Sequence, residues 1–194
     1  MISELRPALT LTLVFAALLG VAYPLGVTSA ANALFPYQAN GSLIESNGEV
    51  IGSALVGQQF AGAGYFHGRP SAAGDGYNAA STGGSNLGPT SKALVARITA
   101  DAERVATENG GGRVPVDLVT TSGSGLDPHI SPAAAFFQAS RVAEARGAAT
   151  AAINAIVAEF TEDRWLGLIG EPRVNVLLIN RALDERFAPT PSTE

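Results

Sequence analysis

The chain contains no cysteine. That excludes disulfides, thiolate nucleophiles and the sulfur ligands of structural zinc, so the fold must close on its apolar core alone. Histidine is scarce too, with only His67 and His129 present, and two imidazoles without thiolate help make a poor metal site. No metal is therefore expected. An excess of positive charge is also missing: 12 basic residues face 17 acidic ones, for a net charge of −5. A nucleic-acid partner is excluded on that ground, because binding a phosphate backbone needs a basic surface; the acidity reads as a solvated exterior. Charge of either sign disappears entirely between Pro7 and Ile44, and no repeat of fixed period runs through the rest.

What fills that uncharged stretch is a nearly continuous apolar run from Ala8 to Ala31. About 20 apolar residues cross a hydrocarbon core of roughly 30 Å, so the run is long enough to span a membrane as one helix. A cleaved signal peptide is the rival reading, since small residues close the run, but Leu9 to Gly26 exceeds the signal core of about 7–15 residues. The retained anchor is the expectation, with membrane lipid as its surroundings. Arg6 and the amino terminus lie on the short side, and the positive-inside rule then places a short tail (1–7) in the cytoplasm, the membrane helix at 8–33, and a domain at 34–194 outside. Within the span, Ala16, Ala17 and Gly20 are small enough for a neighbouring helix to pack closely.

The remaining residues read as a mixed α+β domain. Asn47-Gly48 between Ser42–Ser46 and Glu49–Val56 signals a β-hairpin. Residues 57–89 are rich in Gly, Ser, Ala and Asn, with Tyr65, Phe66 and Tyr77 among them; aromatics in a long aperiodic tract point to a shaped surface. Thr90 or Ser91 caps a helix carrying Leu94, Val95, Ile98 and Val105, which stops at Asn109. Val114–Thr120 alternates like a strand. Ser131-Pro132 opens a helix to Arg146, Thr150 caps another to about Thr161, Arg173–Ile179 reads as a buried strand, and Asn180 caps a last helix to Phe187.

Three motifs could carry chemistry. Gly83-Gly84-Ser85-Asn86-Leu87-Gly88-Pro89-Thr90-Ser91-Lys92 has the look of a phosphate loop, but such a loop needs lysine directly after the last glycine, where Pro89 stands here and also lacks a backbone donor. A loop ending in a helix cap is the better reading. The second motif runs from Thr120 to Ser131 and brings together Ser122, Gly123, Ser124, Gly125, Asp127, His129 and Ser131. A serine hydrolase would draw its nucleophile, base and carboxylate from separate parts of a fold, not from adjacent positions. Asp127 and His129 are expected to tie the loop's backbone, and no catalytic residue is assigned. In the third, Gly170–Val176, Glu171 and Arg173 straddle Pro172 and suit either a structural ion pair or a partner contact.

Taken together, Tyr65-Phe66-His67-Gly68-Arg69-Pro70-Ser71, Gly83–Thr90, Asp117–Ala133 and Gly170–Leu177 closely resemble the C-subunit family of the bacterial high-affinity potassium-transporting P-type ATPase, the Kdp system. The likeness spans the whole chain, including the amino-terminal membrane helix. It departs from the family pattern at Ser91-Lys92, where Asn-Pro is usual, and at Phe160, where a histidine is usual. The resemblance implies a non-catalytic subunit needed for an assembled, active pump. Its partners would be a channel-like subunit that passes potassium and a P-type ATPase subunit that forms the aspartyl-phosphate. It also implies a catalytic-chaperone role that raises ATP affinity, so ATP enters as a cofactor by resemblance only. The chain itself has neither the Asp-Lys-Thr-Gly-Thr phosphorylation motif nor a P-loop. By the same resemblance, Tyr65, Phe66, Arg69, Pro70, Ser71, Ser85, Asn86, Gly88, Pro89, Thr90, Ser122, Gly123, Ser124, Gly125, Asp127, His129, Ser131, Glu171, Arg173 and Asn175 serve partner contact or loop architecture. A membrane-anchored hydrolase using Ser122 or Ser124 with His129, and an anchored small-ligand-binding protein, are the alternatives from other function classes.

Overall fold

The computed structural model describes residues 2–46 and 48–187. They divide into two compact units at Ile51/Gly52. The first is dominated by one helical stretch: α1 (Ile2–Ala17), a π-helical turn (Leu18–Ala22) and α2 (Tyr23–Leu34). The stretch Ser3–Leu34 has 32 residues, its most apolar 18-residue window has a mean hydropathy of 2.0, and none of that window is buried within the chain. At 1.5 Å per residue the stretch is about 48 Å long, more than a bilayer core requires. The π-turn has a local cause. Pro24 has no N–H to offer the carbonyl one turn back, and just before it the ladder slips by a residue, Tyr23 N donating to Leu18 O. Pro36 then opens a single turn, α3 (Pro36–Ala39), and β1 (Leu43–Ser46) pairs with β2 (Glu49–Ser53) in a two-stranded sheet. Gly48 supplies the left-handed backbone of the turn, with φ +82°; Asn47, the other half of the turn signal, lies outside the described residues.

The second unit has α4 (Lys92–Glu108), a 3-10 turn (Val116–Leu118), β3 (His129–Ile130), α5 (Pro132–Ala145), α6 (Thr150–Glu159), β4 (Thr161–Glu162), β5 (Arg173–Asn175) and α7 (Val176–Arg186). The three short strands form an antiparallel sheet in the order β3-β5-β4, with His129 opposite Asn175 and Thr161 opposite Val174. Ala135, Ala139 and Ala143 recur every four residues on α5 and are buried, a low ridge that lets α6 approach with Ile153, Ile156 and Val157. Val174 of β5, Ile179 and Leu183 of α7 and Phe66 from the long loop complete the core.

Side-chain caps set where the helices begin. Ser91 Oγ accepts from Leu94 N at 3.4 Å, and Ser131 Oγ from Ala134 N at 3.1 Å with Pro132 opening the first turn. Elsewhere the elements depart from the sequence reading. Residues 114–120 are not a strand: Pro115 has no ladder donor, and the buried pair Leu118 and Val119 is adjacent instead of alternating. The strand expected over 173–179 stops at Asn175, whose Oδ1 accepts from Leu178 N at 3.1 Å and so starts α7 five residues earlier than Asn180. Asn180 is therefore inside the helix, and buried. Ala149, not Thr150, occupies the cap of α6, with no side-chain bond. On α4, Val95 is exposed and Val105 is the buried position.

Candidate functional site

From Gly57 to Ser91 the chain forms neither helix nor strand, so its buried backbone groups need partners from elsewhere. Helices α5 and α7 supply them. Asn180 Oδ1 accepts from Phe66 N at 2.8 Å while its Nδ2 donates to Phe66 O at 2.9 Å. Gln138 does the same one residue on, accepting from His67 N at 2.8 Å and donating to His67 O at 3.1 Å. Two primary amides thus replace a missing strand, and Phe66 is held fully buried between them. Arg141 donates to the carbonyls of Ala63 and Tyr65 and to Gln138 Oε1. Arg146, with a wholly buried side chain, bonds Gly64 O at 2.6 Å, Phe187 O at 2.6 Å and Asp184 Oδ1 at 2.8 Å. Its guanidinium lies 4.8 Å from the centroid of Tyr65, whose Oη donates to Asp184 at 3.2 Å.

A second knot forms where the motif loops cross. Ser71 Oγ donates to Gly125 O at 2.6 Å and accepts from Tyr77 N at 2.8 Å; Gly83 N donates to Ser124 O at 2.9 Å, and Gly57 N to Leu126 O at 2.8 Å. Gly125 sits at the crossing with φ +69°, and a Cβ there would lie 2.7 Å from both Ala73 N and Gly83 O. Beside it Arg69 donates to Asp127 Oδ2 at 2.9 Å and to the carbonyls of Thr120 and Thr121, while Tyr77 Oη returns to Arg69 O. Asp127 Oδ1 accepts from His129 N at 3.0 Å and lies 3.4 Å from the His129 ring nitrogen Nδ1. Ser124 Oγ accepts from Leu126 N, and Ser131 N donates to Asp117 Oδ2.

The structure brings three of the four motif segments to one cleft of about 340 Å³, lined by Arg69, Asp127, His129, Ser131, Glu171 and Arg173 among others. Glu171 and Arg173 do not pair with each other. Glu171 binds Arg164 at 2.6 Å and Arg173 binds Glu162 at 2.9 Å, so each ties one side of the β4–β5 connection to the other. Asn175 reaches Ala54 O at 2.8 Å as well as capping α7. Of the Gly83–Thr90 motif, Gly83 and Gly84 touch the Ser122–Ser124 backbone, Ser85 is half-buried, and Asn86, Gly88, Pro89 and Thr90 form an exposed approach to the Ser91 cap. A second cavity, of about 460 Å³, is lined by His67, Arg69, Pro70, Tyr77, Arg104 and Gln138 among others; its arginines are already paired, Arg69 with Asp127 and Arg104 with Asp101 and Glu108.

Electrostatically this arrangement holds backbone in place. The His129 ring, the His129 backbone N–H and Arg69 together hold the Asp127 carboxyl at about 2, below the ordinary 3.8, so it stays ionised near neutral pH and keeps accepting from Arg69 and the His129 backbone. Among the described residues, neither Ser122 nor Ser124 hydrogen-bonds to His129. Burial, then the charge of Arg141, pushes His67 below its usual 6.5. A pH prediction follows for Asp127. Because its folded value is depressed, its contribution to stability is complete above the unfolded value near 4 and is lost as pH falls through about 2. Acid titration of urea unfolding should show that loss between about pH 4 and 2 in the native chain, and Asp127→Asn should flatten that window.

Gln138, Arg141 and Arg146 have no loop-holding role in the sequence reading, and Asn180 appears there only as a helix cap, although all four organise the long loop. Their signal was present: Gln138 and Asn180 each interrupt an otherwise apolar helix face, and a polar residue there must find a partner.

Residues 5–185 match the family model described as KdpC, the K+-transporting ATPase c chain. The chain is 61% identical over 191 residues to the potassium-transporting ATPase KdpC subunit of Rhodospirillum rubrum, covering 96% of this chain and 98% of the relative. It is 56% identical over 193 residues to that of Caulobacter vibrioides (99% and 98% covered) and 55% identical over 194 residues to that of Gemmatimonas aurantiaca (99% and 98%). Matches of this extent, through the apolar helix and all four motifs, place the chain in the KdpC family of potassium-transporting ATPase subunits.

Proposed function

We propose that the chain is the accessory, non-catalytic subunit of an ATP-driven potassium uptake complex in the bacterial inner membrane. Its partners there are a channel-like subunit that carries the ion and a P-type ATPase subunit. The near full-length family match carries this reading. Support also comes from the loop architecture, in which the Ser124, Asp127, His129 and Ser131 side chains are engaged with backbone or with one another. The helix packs in lipid against partner helices through Ala16, Ala17 and Gly20, where small side chains permit close approach, and the domain faces outward, opposite Arg6. An effect on the ATP affinity of the ATPase subunit then travels through the helix as a coupling free energy between distant sites, with no nucleotide bound by the outward domain. Co-isolation tests the assembly: the chain should leave the membrane in mild detergent together with large polytopic subunits, and recovery of the chain alone would refute it. Orientation is checked separately. With no native cysteine, a thiol at Ser91 should react with a membrane-impermeant maleimide in intact spheroplasts while one at Ser3 should react only after lysis; the reverse pattern would put the domain in the cytoplasm.

A further inference from the structure

The β4–β5 connection carries four large apolar side chains into solvent: Trp165 is 67% exposed, Leu166 73%, Leu168 83% and Ile169 62%. This is a shaped turn. Trp165 N donates to Ile169 O at 2.9 Å and Gly167 N to Arg164 O at 2.9 Å, and the chain reverses through Leu166 at φ +52° and Gly167 at φ +72°. A leucine held in the left-handed region is unfavourable, so the stem must enforce it. Below the turn the pairs Arg164–Glu171 and Arg173–Glu162 close across the stem, and β5 seats it on the core through the fully buried Val174. An apolar tip on a stem braced by two ion pairs is preorganised for insertion, since little ordering remains to be paid on contact.

Charge and area decide what covers it. Residues 162–173 hold three acidic and two basic side chains, and the chain as a whole carries −5. Surface-seeking amphipathic segments use a cationic face to meet anionic lipid, and this tip has the opposite balance. A second copy meeting tip to tip would bury only a few hundred Å² from each chain, well below the roughly 800 Å² per partner of a stand-alone interface. Such a contact suffices only for a neighbour already held nearby, and a membrane span gives the chain high effective concentration towards proteins in the same bilayer. Four of the five flanking charges pair within the stem, Asp163 being the fifth, so the receiving surface needs little counter-charge.

We infer that Trp165, Leu166, Leu168 and Ile169 form a hydrophobic knob that fits an apolar recess on a co-assembled membrane protein subunit. This rests on the accessory-subunit reading above. Leu168→Cys provides a single thiol whose alkylation by a polyethylene-glycol maleimide is followed as a gel shift of this chain. It is measured in the assembled complex and in the isolated full chain in nanodiscs of phosphatidylethanolamine and phosphatidylglycerol. Labelling should be at least tenfold slower in the complex than in the nanodisc. Equal, fast labelling in both would mean that nothing covers the tip, and equal, slow labelling would mean that lipid does; either result overturns the inference while the co-isolated complex leaves the subunit reading intact. A Leu168→Cys chain that keeps its native circular dichroism but drops out of the complex supports the knob. Failure of the unaltered chain to co-isolate would instead refute the subunit reading.

Discussion

Replacing Asn180 with leucine is expected to destabilise the folded domain by about 2–6 kcal/mol although the two side chains are nearly the same size. The amide is 1% exposed and satisfies both the N–H and the carbonyl of Phe66. Leucine removes both partners and admits no water, leaving two buried backbone groups unpaired at about 1–3 kcal/mol each. Phe66 itself is fully buried in the core, so a loop freed at this point also loosens the packing of α5 and α7. Urea unfolding of the full chain in detergent, followed by circular dichroism, measures the change. A midpoint shift equivalent to less than about 0.5 kcal/mol, the scale of an ordinary surface substitution, would mean that the Phe66 backbone is not held in this way. Among the described residues, Asn180 and Gln138 are the side chains that bond both backbone groups of a single loop residue, so the effect is specific to these two positions.

Gly125→Ala should cost a comparable amount by an unrelated mechanism. At φ +69° any L residue is strained by about 1–2 kcal/mol. The added methyl would also stand 2.7 Å from Ala73 N and Gly83 O, which are backbone atoms of two stretches of the long loop and cannot rotate aside; relieving such overpacking costs a further 1–3 kcal/mol or so. Gly123→Ala is the internal control two residues away, because a Cβ there meets nothing within 4 Å and its φ is ordinary. Equal stability of the two variants would contradict the crossing of the loops at Gly125. A larger loss at Gly125 alone would locate the crossing and explain why this motif requires glycine at that position.

Much of this was legible from the residues. The apolar run, the hairpin strands, the Ser91 and Ser131 caps and the apolar faces of α5 and α6 are local signals, set by composition, periodicity and capping chemistry, and they survive folding unchanged. The failures have tertiary causes. Val114–Thr120 alternates like a strand, yet Pro115 leaves it without a full ladder and, among the described residues, no neighbouring strand takes it up. Asn175 and Asn180 are the same residue type five positions apart, and only contact with Leu178 N and with Phe66 decides which caps a helix and which clamps a loop. The pairing of Glu171 with Arg164 and of Arg173 with Glu162 was hidden because it depends on how the β4–β5 connection folds back. The loop itself announced only that it was too aromatic to be idle.

On this account the Ser-Gly-Ser-Gly-Leu-Asp-Pro-His segment is architecture serving assembly, with the chemistry residing in other subunits. The most direct test measures potassium-stimulated ATPase activity and subunit content together, in the same purified complexes, for Ser122→Ala, Ser124→Ala and Asp127→Ala. Both serine variants should assemble and retain most of their activity, because neither hydroxyl is coupled to His129. Asp127→Ala should lose activity in proportion to lost subunit, since it releases Arg69 and the His129 backbone. Complexes that contain the full complement of this chain yet are inactive with either serine replaced, by the orders of magnitude that follow loss of a nucleophile, would contradict the account and place catalysis on this chain.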